Sequence, residues 1–219
     1  MMIDSIEESK LEAMSQDDLG LYLDTLVDQA LTILKTSSTW PVVEEHPTLT
    51  TRQSHTWPPS KPFLQCQSRH VDITYDQICN VIADPSSASK YVDGLLETKS
   101  LKTLLTTDTT QAGLYWSRVQ STLTLPRDYV DLVVTRESAR SLLVVSQPVD
   151  TVRYAKQGHV RGQRLSCDLV CEQGDGVEWT RIKWSSAGGW VPDFWTGWGS
   201  GKRLYNDVDD LVDFIRAGV

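Results

Sequence analysis

The sequence lacks a long apolar run: nothing in its 219 residues approaches the roughly 20 apolar positions a helix needs to cross a bilayer. Met1 through Glu8 is acidic and polar, without the basic-then-apolar layout of a secretory signal. Cysteine is scarce, with four residues: Cys66, Cys79, Cys167 and Cys171. Only Cys167 and Cys171 are close in sequence, and no histidine cluster accompanies them, which disfavours a zinc site. No secreted disulfide framework is visible. Positive charge is also in short supply, 21 Lys+Arg against 29 Asp+Glu. The resulting net charge of −8 argues against a nucleic-acid partner and against strong adsorption to anionic membranes. The four histidines, His46, His55, His70 and His159, complete no Ser/His/Asp or Cys/His pattern. These absences lead to the expectation of a cytoplasmic monomer with no metal, no cofactor and no nucleic-acid partner.

What is present is a globular composition, 40% hydrophobic and 23% charged, in a chain long enough to bury a sizeable core. Residues 1–14 read as a flexible N-terminus, and 15–219 as one domain. Ser15 followed by Asp18 marks a helix start. Leu19, Tyr22, Leu23, Leu26, Val27, Ala30, Ile33 and Leu34 then fall at helical spacing. Residues 40–73 read as three strands, and Thr74 with Gln77 opens a short helix that Asp84-Pro85-Ser86 breaks. Strand-like segments follow near 95–106, 111–123, 129–136, 141–148, 159–172 and 176–185. The turn at Gly174-Asp175-Gly176 is the clearest of those between them. Leu165, Cys167, Leu169 and Cys171 share one strand face, which reads as buried structural thiols. A helix after Pro192 runs to about Ala217. Strands never alternate with long helices, so the class is α+β. The expected architecture is a helix-grip fold: about nine antiparallel strands curved around a long C-terminal helix, with an internal apolar cavity.

Three stretches, in this order, carry a family resemblance. They are Tyr115-Trp116 followed by Pro126-Arg127-Asp128-Tyr129, then Gly158-His159-Val160-Arg161-Gly162, then Gly188-Gly189-Trp190-Val191-Pro192. Together they resemble the START (StAR-related lipid transfer) family of the helix-grip, Bet v 1-like (SRPBCC) superfamily, over roughly residues 60–216. The resemblance implies binding and transfer of one lipid, a sterol, phospholipid or related molecule, with transient membrane contact and no catalysis. Two rivals stand beside it: an enzyme on the same scaffold, polyketide cyclase-like or a hydrolase, and a lipid-sensing or partner-binding module without transfer. Locally, Arg127 and Asp128 read as a pair fixing a corner, with Pro126 presetting the turn.

Steroid-carrying relatives place a buried acid and an arginine on the strands flanking that corner. Ungapped counting puts Leu114 and Val133 at those positions, so both anchors are absent. Strand alternation then groups Leu114 with Trp116 and Arg118, and Val133 with Asp131. Two readings stand open: Arg118 and Asp131 pair inside the cavity, or a bulge near Pro126 turns one or both to solvent. Trp116 is cavity wall or core, and Thr180, Ile182 and Trp184 are expected on the inner face. The expected lid comprises Trp190, Phe194, Trp195, Gly197, Trp198, Gly199 and Gly201, with a helical break near 197–201 where the glycines gather. Its tryptophans suit either a membrane interface or the cavity cap. Arg136 and Arg140, in the position of the family's second gate element, suit lipid headgroups or a solvated turn.

Overall fold

Local chemistry sets the helices where the sequence places them. Ser15 Oγ accepts the backbone N–H of Asp18 at 3.1 Å and starts α2, Gln16–Ser37. Thr74 and Gln77 cap each other reciprocally and start α3, Tyr75–Ile82. A 3₁₀ segment, Pro85–Lys90, follows, its first turn capped by Asp84. The computed structural model describes residues 3–54, 62–120, 125–186, 188 and 200–218.

Residues 3–13 are not frayed. Ile6–Glu7 forms β1 and Glu8–Ala13 forms α1. Ile3, Ile6 and Leu11 are buried, and β1 pairs in parallel with Val149–Asp150. The buried Glu8 carboxylate accepts from Arg153 at 2.9 Å and from the Thr151 hydroxyl. The apolar residues of this stretch follow no single period, so the packing that orders it has no local signature.

The main strands are β2 (Val42–His46), β3 (Leu49–Gln53), β4 (Leu64–His70), β5 (Leu95–Thr106), β6 (Thr110–Val119), β7 (Arg127–Ser138), β8 (Ser141–Asp150), β10 (Gln163–Gln173) and β11 (Gly176–Ser186). They form one antiparallel sheet in the order β2-β3-β4-β11-β10-β8-β7-β6-β5, as a helix-grip architecture requires. The two-residue β9, Val160–Arg161, pairs in parallel with the start of β7. The C-terminal helix α4 spans Ser200–Arg216. Gly201 therefore lies inside a helix rather than in a break.

Both faces of the sheet are covered. Leu19, Leu23, Leu26, Val27, Ala30 and Leu34 of α2 pack on one face, against Leu114, Leu132, Val145, Cys167 and Ile182. Leu204, Val208, Leu211, Val212 and Ile215 of α4 pack with α3 on the other, against Val133, Val144, Val170, Val177 and Trp179.

Described residues from each of the three stretches that carry the family resemblance, Trp116 and Asp128, Arg161, and Gly188, meet at one corner. Asp128 pairs with Arg161 at 2.8 Å, not with Arg127, which donates to the Leu125 carbonyl at 2.7 Å. Trp116 Nε1 lies 3.5 Å from Asp128. Gly188, at φ +64°, sits where a Cβ would come within 2.0 Å of the Arg161 carbonyl oxygen. Backbone cannot yield as a side chain can. Gly188→Ala is expected to cost about 1–3 kcal/mol through overpacking and left-handed strain, read as a lower melting temperature.

Arg216, in the last turn of α4, donates to Asp72 at 2.8 Å, beside the end of β4. The nearby His70 is buried and bonds Ser68 Oγ at 2.9 Å. Burial lowers its pKa below the ordinary 6.5. The unfolded chain therefore binds this proton more readily, and the associated stability is complete above pH 6.5 and lost as pH falls through the lowered value. His70→Gln should flatten the fall in melting temperature between pH 6.5 and 5. An unchanged slope would remove His70 as its source.

Candidate functional site

The cavity lies on the α4 face of the sheet, under the 3₁₀ segment. Tyr91, Val92, Leu95, Ile82 and Pro85 form one wall, and Val133 and Val144 part of the floor. Its volume is about 120 Å³. Contrary to the apolar interior expected, half of its lining is polar, including Thr98, Ser146, Arg164, Ser166, Asp168, Arg181, Lys183 and Asp207.

The charged groups sit in pairs. Arg164 Nε donates to Asp131 Oδ2 at 2.8 Å, and its terminal nitrogen lies 2.7 Å from the same oxygen as an ion pair. Arg181 Nε donates to Asp168 Oδ1 at 2.7 Å, and Trp179 Nε1 donates to the same oxygen at 2.9 Å. Lys183 of β11 meets Asp207 of α4 at 2.6 Å and ties the helix to the sheet. Asp131, Asp168 and Asp207 are all at least 95% buried. Such carboxylates persist in an interior only when paired. Burial raises the Asp131 pKa against the opposing pull of Arg164. It also pushes the Tyr91 phenol up to about 12, so Tyr91 remains a hydroxyl at neutral pH.

Period-two alternation explains the arrangement. On β10, Arg164, Ser166 and Asp168 face the cavity, while Leu165 and Cys167 face α2. On β11, Arg181 and Lys183 face the cavity, while Ile182 and Trp184 face α2. The Gly174-Asp175 turn sets a register in which Asp168 opposes Arg181 and Ser166 opposes Lys183. That register follows from the turn, but which face looks into the cavity does not.

Of the eight cavity residues expected from sequence, Val133 lines the cavity and Asp131 shares its face. Leu114, Trp116 and Ile182 pack into the α2-side core, with Trp184 against it, and Thr180 follows their alternation. The Arg118–Asp131 pair does not exist. Tyr115 opposes Asp131 while Arg118 opposes Asp128, so the two lie on opposite faces. Arg118 instead lies 3.9 Å from Glu97.

Ala139 and Arg140, at φ 42° and 63°, close a two-residue hairpin at the end of the sheet away from Ser186. There Arg140 bonds Asp76 and Glu172, and Arg136 bonds Asp24. Trp190, Phe194, Trp195, Gly197, Trp198 and Gly199 lie outside the described residues.

The cysteines are not nucleophile candidates. Burial pushes the Cys66 thiol up to about 12 and Cys79 to about 11. No three His, Cys, Asp or Glu side chains among the described residues gather around a metal position. A second depression, about 180 Å³, lies at the far end between α3 and the β5–β6 turn. It is the larger of the two, but its walls are the hydroxyls and carboxylates of a solvated cleft, such as Asp76, Asp108 and Thr109. The cavity beside α4, with its buried charge pairs, is the candidate site.

A family model described as "Protein of unknown function (DUF3074)" matches residues 63–215. No curated protein matches the chain in sequence. Among solved structures, human StAR-related lipid transfer protein 5 superposes with a TM-score of 0.81 at 13% identity, over 93% of this chain and 99% of that one. A STAR-related lipid transfer protein fragment from Xanthomonas axonopodis superposes with a TM-score of 0.69 at 16% identity, over 81% of this chain and 98% of that one. At these identities the likeness establishes the fold.

Proposed function

The chain belongs to the DUF3074 family, and we propose that it binds a single amphiphilic lipid between α4 and the sheet and carries it, chemically unchanged, between membranes. The observation that carries this reading is the cavity itself: a half-apolar space between α4, the 3₁₀ segment and the sheet whose charges are neutralised pairwise. Apolar walls favour an alkyl or ring moiety, at about 0.8 kcal/mol per buried methylene. Pockets that enclose drug-sized ligands usually measure about 300–1,000 Å³, so a cavity of about 120 Å³ must widen to admit a lipid. Outward movement of α4 achieves this, and Lys183–Asp207 is a polar contact that it must stretch or break. Carriage without chemistry follows from the pairing, because the cavity acids and bases are committed to one another. We place the protein in the cytoplasm as a monomer that touches membranes only during exchange.

The test is native mass spectrometry of the delipidated protein after incubation with mixed-lipid vesicles, followed by a vesicle-to-vesicle transfer assay. One lipid per chain and accelerated transfer are expected. A ligand-free protein would refute binding, and a loaded protein that fails to transfer would reduce the function to sensing.

A further inference from the structure

Three buried side-chain oxygens without a hydrogen-bond partner among the described residues, Thr98 Oγ1, Ser117 Oγ and Asp131 Oδ1, belong to one face of the sheet, the face that carries the cavity. Thr98, on β5, lines the cavity and stands directly opposite Ser117 on β6. Ser117 in turn opposes Tyr129 on β7, two residues before Asp131. Directly opposed residues bring their Cβ atoms to about 5 Å and diagonal ones to about 7–8 Å. The three residues therefore run diagonally across three neighbouring strands, each within reach of the next. Ser117 and Asp131 are 0% and 1% exposed, so bulk water does not satisfy them. A buried polar atom left without a partner is costly, and three on one patch mark a place where a polar group belongs.

We infer that this patch receives the head of a neutral, hydroxyl-bearing lipid, and that a phosphate head is excluded. The inference rests on the lipid-binding reading above. Asp131 Oδ2 is already engaged by Arg164, and Oδ1 of the carboxylate can only accept, so the incoming group must donate a hydrogen bond. The Thr98 and Ser117 hydroxyls can accept from or donate to the same head. Charge decides the class of donor. Arg164, Arg181 and Lys183, the cations that line the cavity among the described residues, are each paired with a carboxylate. A phosphate would enter beside Asp131 as an uncompensated charge in a desolvated site. An ammonium would add a positive charge to a patch that Arg164 and Asp131 already balance. A hydroxyl meets the demand for a donor and leaves the balance intact.

The experiment compares three probes with one acyl chain: monooleoylglycerol, oleoyl lysophosphatidic acid and methyl oleate. Each is titrated into wild type, Thr98→Val and Ser117→Ala by tryptophan fluorescence, with melting temperatures confirming the fold. Monooleoylglycerol is expected to bind wild type roughly tenfold more tightly than either other probe. Each variant should weaken monooleoylglycerol severalfold and leave methyl oleate unchanged. Equal affinities for the three probes, tightest binding of the phosphate, or an equal loss for all probes in the variants would overturn the inference. Binding of none of the three would overturn the lipid-binding reading itself.

Discussion

Replacing Asp168 with alanine should destabilise the protein by about 3–5 kcal/mol, because it strands a buried guanidinium. For a chain of this size that corresponds to a melting temperature lower by roughly 6–20 °C. Asp168 holds Arg181 Nε at 2.7 Å and Trp179 Nε1 at 2.9 Å through the same oxygen. The Arg181 side chain is only 14% exposed, so water does not replace the lost partner. Burial disfavours the charge on Arg181, and the Asp168 carboxylate beside it holds the group protonated. Removing both charges together avoids that penalty. Asp168→Leu combined with Arg181→Met should recover most of the stability, since replacing a buried pair by apolar groups of similar volume is often neutral or better. If the double variant were as unstable as the single one, packing rather than charge would be the cause.

Val133→Trp should lower lipid affinity about 100-fold or more while costing only about 1–3 kcal/mol of stability. Val133 is 5% exposed and forms part of the cavity floor, opposite the wall that holds Tyr91 and Val92. An indole there takes up most of the 120 Å³ available and removes the space on which binding depends. Ser166→Phe, on the neighbouring part of the floor, should act in the same direction. Uptake of lipid from vesicles, measured beside a melting curve, separates a filled cavity from a collapsed fold. Retained uptake in both variants would place the ligand elsewhere.

The parts of this structure legible in the sequence are those written in local chemistry. The Thr74–Gln77 capping box, the Gly174-Asp175 turn and the apolar period of α2 each act within a few residues. They were enough for the order of elements and hence for the helix-grip class. Which strand face looks into the cavity is not local. Helices cover the sheet on both sides, so each face needs its own run of buried residues, and alternation reveals two sets without saying which is which. Leu114, Trp116 and Ile182 belong to the more hydrophobic set, which hydrophobicity alone would turn toward a greasy interior. That set packs against α2, and the set with Arg164, Asp168 and Arg181 lines the cavity. The Arg118–Asp131 pairing failed for the same reason, because ungapped counting across a corner does not preserve face. Arg140 misled differently. Its turn resembles a gate loop in sequence, but with both residues of the loop at positive φ it is a tight hairpin held by Asp76 and Glu172.

Photolabelling with a long-chain fatty alcohol carrying a mid-chain diazirine addresses the location of the ligand directly. One adduct per chain, mapped by peptide sequencing to Tyr91, Val133, Ser166 or Arg181, is the predicted result. Adducts confined to the side of the sheet that carries Leu114, Trp116 and Ile182, or no saturable adduct, would contradict it.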